Sequence, residues 1–300
     1  MLLQLCCGPW ETANRRCNFL IVSAVINVVL DIAFIVIFHM GVEGCAYATV
    51  IAQGISALLC LVYIIKKFPV LRLKKEDFRF SVNTVKKLLG LGIPMGLQFS
   101  ITAIGTIIVQ GAINVYGAVY MAGFSAAGKI QNIICTVFVA FGATIATYVG
   151  QNRGAGKMDR VKQGVRLTQM MILVCSVVLM AVIHFFGKYM IFLFIDPAET
   201  EVLHAAEIYF NIVSWAYPFL GSIFLYRNAL QGMGYGFVPM MGGVFELVAR
   251  AAIVFVAAAN AGFAQVCMSD PAAWIAALIP LIPYYIWVMR KAEKSGQVEV

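Results

Sequence analysis

Two polar residues one helical turn apart, Asn27 and Asp31, stand in the middle of an apolar run from Asn18 to Phe38. An i, i+4 pair shares one face of a helix, so both can point at one interior site. A charged side chain in the bilayer core costs about 2.5–3.5 kcal/mol on insertion scales, so it faces protein or water and is a functional candidate by default. Out of water a carboxyl group is driven toward its neutral form. With oxygens around it, such a group can hold a proton or a sodium ion. The plainer alternative for Asp31 is a hydrogen bond between helices that serves structure alone.

The same pattern recurs later. Sliding the chain by 219 residues lays Asn27 over Glu246 and Asp31 over Arg250, again a polar i, i+4 pair inside an apolar run. Glu246 and Arg250 could simply pair along their own helix. Lys129 is a further embedded charge, which either lines a central cavity or snorkels to the surface. Gln98 follows Gly92-Ile-Pro-Met-Gly96, a segment that permits close helix approach and a proline bend. Gln98, Lys129, Glu246 and Arg250 are therefore candidates for a polar cavity lining.

Other chemistries fail on their residues. Gly150-Gln-Asn-Arg-Gly-Ala-Gly-Lys-Met158 has the look of a phosphate loop, but Gln151 stands where the first glycine belongs and Met158 where Ser or Thr belongs. Nucleotide binding is rejected. No Ser-His-Asp, Cys-His or paired-carboxylate constellation occurs, so an enzyme is not expected. The eight cysteines show no CxxC, and the three histidines stand apart from one another and from the cysteines, so no metal site is expected.

The elements that must position the candidates follow from composition. The chain has 300 residues, 62% of them hydrophobic and 12% charged, against about 45–50% and about 25% in an average globular domain. Such a chain cannot cover a soluble surface and reads as an all-α, polytopic membrane protein. A core of about 30 Å needs about 20 apolar residues per helix. Eight segments qualify, over residues 18–38, 44–65, 88–114, 120–149, 167–186, 205–226, 238–259 and 272–289.

The formal charge of +8 could suggest nucleic acid, but the basic residues sit in short segments between apolar runs. They precede span one (Arg15, Arg16), fill Lys66–Lys87 and 153–166, and include Arg227 and Arg290, Lys291 and Lys294. Nineteen of the 22 therefore fall on one side. The other side has Lys188 with Glu43, Asp196, Glu199, Glu201 and Asp270. The asymmetry predicts an even number of spans with both termini cytoplasmic. The stretch Lys66–Lys87 reads as a basic linker between bundles or as a helix on the anionic leaflet. Met1–Trp10 lacks a basic n-region and does not read as a signal peptide.

If spans one and two correspond to spans seven and eight, the repeat is the six-helix block from span three to span eight. Residues 1–80 then hold the last two helices of a first lobe plus the linker, and residues 81–300 a complete second lobe. Four helices, on the order of 140 residues, would be missing from the first unit. Two six-helix halves are a known transporter plan.

The residues that carry these signals resemble the multidrug and toxic compound extrusion (MATE) family. The carrying segments are Phe19–Asp31, Met40–Thr49, Leu91-Gly-Ile-Pro-Met-Gly-Leu-Gln98, Ala122-Gly-Phe-Ser-Ala-Ala-Gly-Lys129 and Tyr148–Gly156, in the family's order. The resemblance implies twelve helices in two lobes, of which the spans here are the fifth to twelfth. It implies an antiporter in a bacterial plasma membrane that exports amphipathic organic cations against H+ or Na+. No cofactor beyond the coupling ion and no oligomer is implied.

In members with a cation site in the first lobe, Asn and Asp on the fifth helix and Thr on the sixth form it, which match Asn27, Asp31 and Thr49. A further acid on the first helix completes that site. Some relatives instead carry Glu after the Gly-x-Pro segment, where this chain reads Ser100-Ile-Thr102. The alternatives are a lipid-linked precursor flippase of the same superfamily and a truncated remnant that does not transport.

Overall fold

The computed structural model describes residues 11–67, 81–260 and 262–295. Every regular element among them is helical. The start Met1–Trp10 and most of the basic stretch between Lys67 and Ser81 lie outside the described residues, and with them the signal-peptide and leaflet-helix readings. The chain divides into two compact units, residues 1–81 and 82–300.

The first unit is a helix pair. α1 runs Glu11–Ile32 and continues as a wider turn over Ala33–Ile37, and α2 runs Val42–Lys67. The widened turn breaks the regular ladder, and Phe38 and Met40 donate their backbone N–H groups back to Ala33 (3.1 Å) and Phe34 (2.9 Å). His39, with φ 52°, then reverses the chain. The two helices run antiparallel. The Ser23 hydroxyl reaches the Ala52 carbonyl at 3.2 Å, and Asn27 lies opposite Thr49. Val25, Val29, Val36, Val50 and Val62 point outward, as a surface solvated by lipid tails allows.

The second unit has six membrane-length rods. These are α3 (Val82–Asn114), α4 (Ala118–Gly154), α5 (Met158–Ile191), α6 with α7 (Thr200–Val213 and Tyr217–Gly232, joined by a tighter turn over Ser214–Ala216), α8 (Phe237–Asn260), and short α9 (Phe263–Cys267) leading into α10 (Ser269–Ser295). α3 and α4, with 33 and 37 residues, reach about 50 and 55 Å at 1.5 Å per residue. Both exceed a ~30 Å hydrocarbon core, so they tilt or extend past it.

Across the described residues seven helices are long and apolar enough to cross a membrane, and Ile21–Ile37 is a shorter apolar helix. The chain is an all-α multi-pass membrane protein. α6 with α7 is the most enclosed span, with 61% of its apolar window buried, against 22% for α5. A rod in the middle of a bundle is buried all round, whereas α5 turns Val174, Val177, Val178 and Phe185 outward.

Pro94 lies inside α3 without ending it. Gly92 and Gly96 were expected to allow close helix approach. A Cβ at either would meet nothing within 4 Å among the described residues, so they do not serve that role in this unit. Close approach occurs elsewhere, as at Gly123 of α4. A Cβ there would stand 2.7 Å from the Val202 carbonyl oxygen and 2.8 Å from Ala205 Cβ, so the missing side chain is what seats α6.

Candidate functional site

In the second unit α3, α4, α6, α7, α8 and the start of α10 line a half-open cavity of about 390 Å³. Glu246 and Arg250 line it one turn apart on α8, with side chains 4% and 5% exposed. Burying them at four-residue spacing places both on the helix face away from outward-facing Val248 and Phe255. They do not simply pair with each other. Arg227 of α7 donates from Nη2 to Glu246 Oε1 at 2.5 Å, and Arg250 Nη1 donates to Glu246 Oε2 at 3.4 Å. Arg250 Nε donates to Asp270 Oδ1 at 3.4 Å, and the Tyr209 hydroxyl donates to Asp270 Oδ2 at 3.0 Å. The charges therefore alternate along one wall: Arg227, Glu246, Arg250, Asp270.

Gln98 extends this chain from α3. It is 2% exposed, and its amide lies 3.2 Å from that of Gln231. Turned so that its oxygen faces Arg227, it accepts from Nε at 3.1 Å and Nη1 at 3.3 Å. That orientation gives the guanidinium acceptors on a second side, as a buried cation requires. The remaining walls are neutral. The Gln131 carbonyl accepts from the Tyr217 hydroxyl at 3.1 Å, and the Thr102 hydroxyl is buried without a partner among the described residues. Phe124, Phe224 and Trp274 supply apolar surface. A larger hollow of about 460 Å³, beside the α3–α4 loop and the start of α6, shares no residue with this cavity.

Two sequence expectations are corrected here. Arg227 was counted among basic residues flanking the membrane, but its side chain is 11% exposed and paired inside the unit. It looked like a loop residue because α7 runs on past it to Gly232. Asp270 was counted as an acid of the opposite loop, yet it is 17% exposed and faces the cavity. Lys129 is not brought into the cavity. It is exposed, and its ammonium stands 5.0 Å from the ring centre of Phe194. Arg227, Asp270, Tyr209 and Gln231 were missed as site residues. For Asp270 a signal existed, since the offset that lays Asn27 on Glu246 carries Thr49 to within two positions of it.

In the first unit the Asn27 amide donates to Thr49 Oγ1 at 3.4 Å, while the Thr49 hydroxyl donates to the Cys45 carbonyl at 2.9 Å. One turn on, Asp31 is half-buried, and its Oδ1 is shielded from solvent with no hydrogen-bond partner among the described residues. Among the described residues no cluster of three or more His, Cys, Asp or Glu could hold a metal ion.

A membrane-spanning helical bundle with charged groups held inside it defines the class, a polytopic membrane protein, and the comparisons give its family. The MatE family model matches residues 94–256, more than half of the chain. The chain belongs to the MatE family. It is similar to the probable multidrug resistance protein YpnP of Bacillus subtilis, at 33% identity over 72% of this chain and 48% of that protein. It is also similar to the probable multidrug resistance protein YoeA of the same organism, at 26% identity over 93% of this chain and 62% of that one. In fold it resembles a crystal structure of MATE in complex with MaL6, with a TM-score of 0.86 at 18% identity, over 94% of this chain and 64% of that one. The chain thus spans about half to two thirds of the length of these relatives.

Proposed function

We propose that this chain is part of a multidrug exporter that expels amphipathic organic compounds, organic cations among them, in exchange for H+ or Na+. Family membership supports the efflux reading, and B. subtilis relatives described as probable multidrug resistance proteins support the multidrug one. Residues 82–300 act as one six-helix lobe, and α1 and α2 as the last two helices of the other. Both termini face the cytoplasm, on the side of the basic segments.

The observation that carries the coupling reading is the unpartnered Asp31 oxygen one turn from the Asn27–Thr49 pair. A cation or proton arriving at Asp31 neutralises a charge held out of water, which lowers the cost of repacking α1 and α2. Cation and substrate each favour a different arrangement, so binding one promotes release of the other. The flippase reading expects a cation-rich groove. In the cavity of residues 82–300, two guanidiniums are matched by two carboxylates, which does not favour it.

The test is dye efflux from vesicles carrying the full-length gene product, with proton and sodium gradients imposed separately. One gradient should drive efflux and the other should not. Efflux with neither, or none with either, ends the antiport reading.

A further inference from the structure

Arg250 is a buried guanidinium whose needs the protein does not meet. Its side chain is 5% exposed, and both of its contacts, to Glu246 and Asp270, are 3.4 Å long. Its Nη2 has no hydrogen-bond partner among the described residues. A guanidinium carries five N–H donors and cannot shed its charge, so a buried one with two loose contacts retains unspent donor capacity. The acceptors around it are better served. Glu246 takes the close contact from Arg227, and Asp270 takes the Tyr209 hydroxyl.

The guanidinium is also deliberately housed. A Cβ on Gly105 of α3 would stand 3.3 Å from both Arg250 Cδ and Nη1, so the glycine makes room for the side chain to lie against α3. Beyond it opens the 390 Å³ cavity with the aromatic surface of Phe124, Phe224 and Trp274. The fixed charges on the wall cancel, two of each sign. Neither a cation nor an anion therefore gains net Coulomb attraction there, and hydrogen bonding decides: a cation must compete with an arginine for either carboxylate. An anionic oxygen meets donors that nothing else fills.

We propose that this cavity binds the carboxylate or phosphate group of an aromatic amphiphile, with Arg250 as the anchoring residue and Gly105 as the residue that positions it. As a substrate site this rests on the export reading; the binding itself does not, and it is measured with no gradient present.

The test uses the purified chain in detergent and three matched fluorescent probes: 1-naphthaleneacetate, 1-naphthyl phosphate and 1-naphthylmethylamine, followed by equilibrium dialysis. The acids should bind more tightly than the amine, and whichever acid is preferred identifies the group as carboxylate or phosphate. Arg250→Gln should weaken acid binding by about 10- to 100-fold, the range for losing hydrogen bonds to a charged group, and should not weaken amine binding, which gains freed acceptors on Glu246 and Asp270. In that variant Glu246 keeps Arg227 and Asp270 keeps Tyr209, so the unit retains its other polar ties. Gly105→Ala, which shifts the guanidinium without removing it, should give a smaller loss for the acids only. Equal binding of all three probes, tighter binding of the amine, or acid binding indifferent to both substitutions overturns the proposal. Acid binding that persists in a protein showing no gradient-driven efflux would refute the export reading and leave this site standing.

Discussion

α1 with α2 and α8 with α10 solve the same problem with opposite chemistry. In each pair the first helix offers polar residues at i and i+4, and the second supplies a partner near its start: Thr49 across from Asn27, Asp270 across from Arg250. In the first pair the tie is a neutral amide–hydroxyl contact, and the one charged group, Asp31, keeps an oxygen without a partner. In the second, four charges alternate and bind one another. On the proposed reading the first pair keeps a carboxylate oxygen open for an ion, whereas the second balances its charges two against two.

That contrast can be broken most decisively at Asp31. Asp31→Asn should abolish gradient-driven dye efflux in the full-length protein while membrane insertion, read by fractionation, is unchanged. Efflux that survives would show that the unpaired oxygen is not the coupling site. Next in size is Glu246→Ala, which takes the carboxylate from Arg227 and one of two carboxylates from Arg250. Losing one partner of a buried ion pair costs about 3–5 kcal/mol, so the thermal midpoint in detergent should fall steeply, whereas Asp31→Asn should barely move it. A Glu246→Ala protein as stable as the parent would mean that the charged wall contributes nothing to structure.

Gly123→Ala should destabilise by about 1–3 kcal/mol, the usual cost of overpacking, because its Cβ would meet the Val202 backbone oxygen and not a movable side-chain end. Melting in the same detergent measures it, and no change would show that α6 can slide away from α4. Thr49→Ala removes one long hydrogen bond and should cost about 0.5–1 kcal/mol, which distinguishes a light tie from the ionic one. Smallest is Lys129→Ala. An exposed cation over an aromatic ring contributes about 0.5–1 kcal/mol, and efflux of every substrate should be untouched. A change in substrate range would return Lys129 to the cavity.

The helical, membrane-spanning character was legible because it rests on sums over many residues, which no single contact can overturn. The pairing of Glu246 with Arg250 was half legible. Their spacing put them on one face, but Arg227, the stronger partner of Glu246, sits 19 residues away on another helix, where spacing carries no information. Arg227 and Asp270 were read by position, at the ends of apolar runs, because a hydropathy window measures distance from a run's middle. It does not register that a helix continues, or that its end is capped over by neighbours. The Gly-x-Pro-x-Gly segment was read as a packing motif from its small residues alone. Whether a neighbouring helix stands against them is a property of the bundle, and in this unit none does.

The sequence by itself determined that this chain is a bundle of membrane helices, which of its residues are polar inside apolar runs, and the four-residue spacing that puts Asn27 with Asp31 and Glu246 with Arg250 on single faces. These follow from local periodicity and from the cost of charge in hydrocarbon. Only the tertiary structure decided which charges meet, that Arg250 is left with donors to spare above a cavity, and that one Asp31 oxygen has no partner among the described residues. Those depend on how helices far apart in sequence are brought within hydrogen-bond reach, and a few ångströms there separate a matched ion pair from an open site.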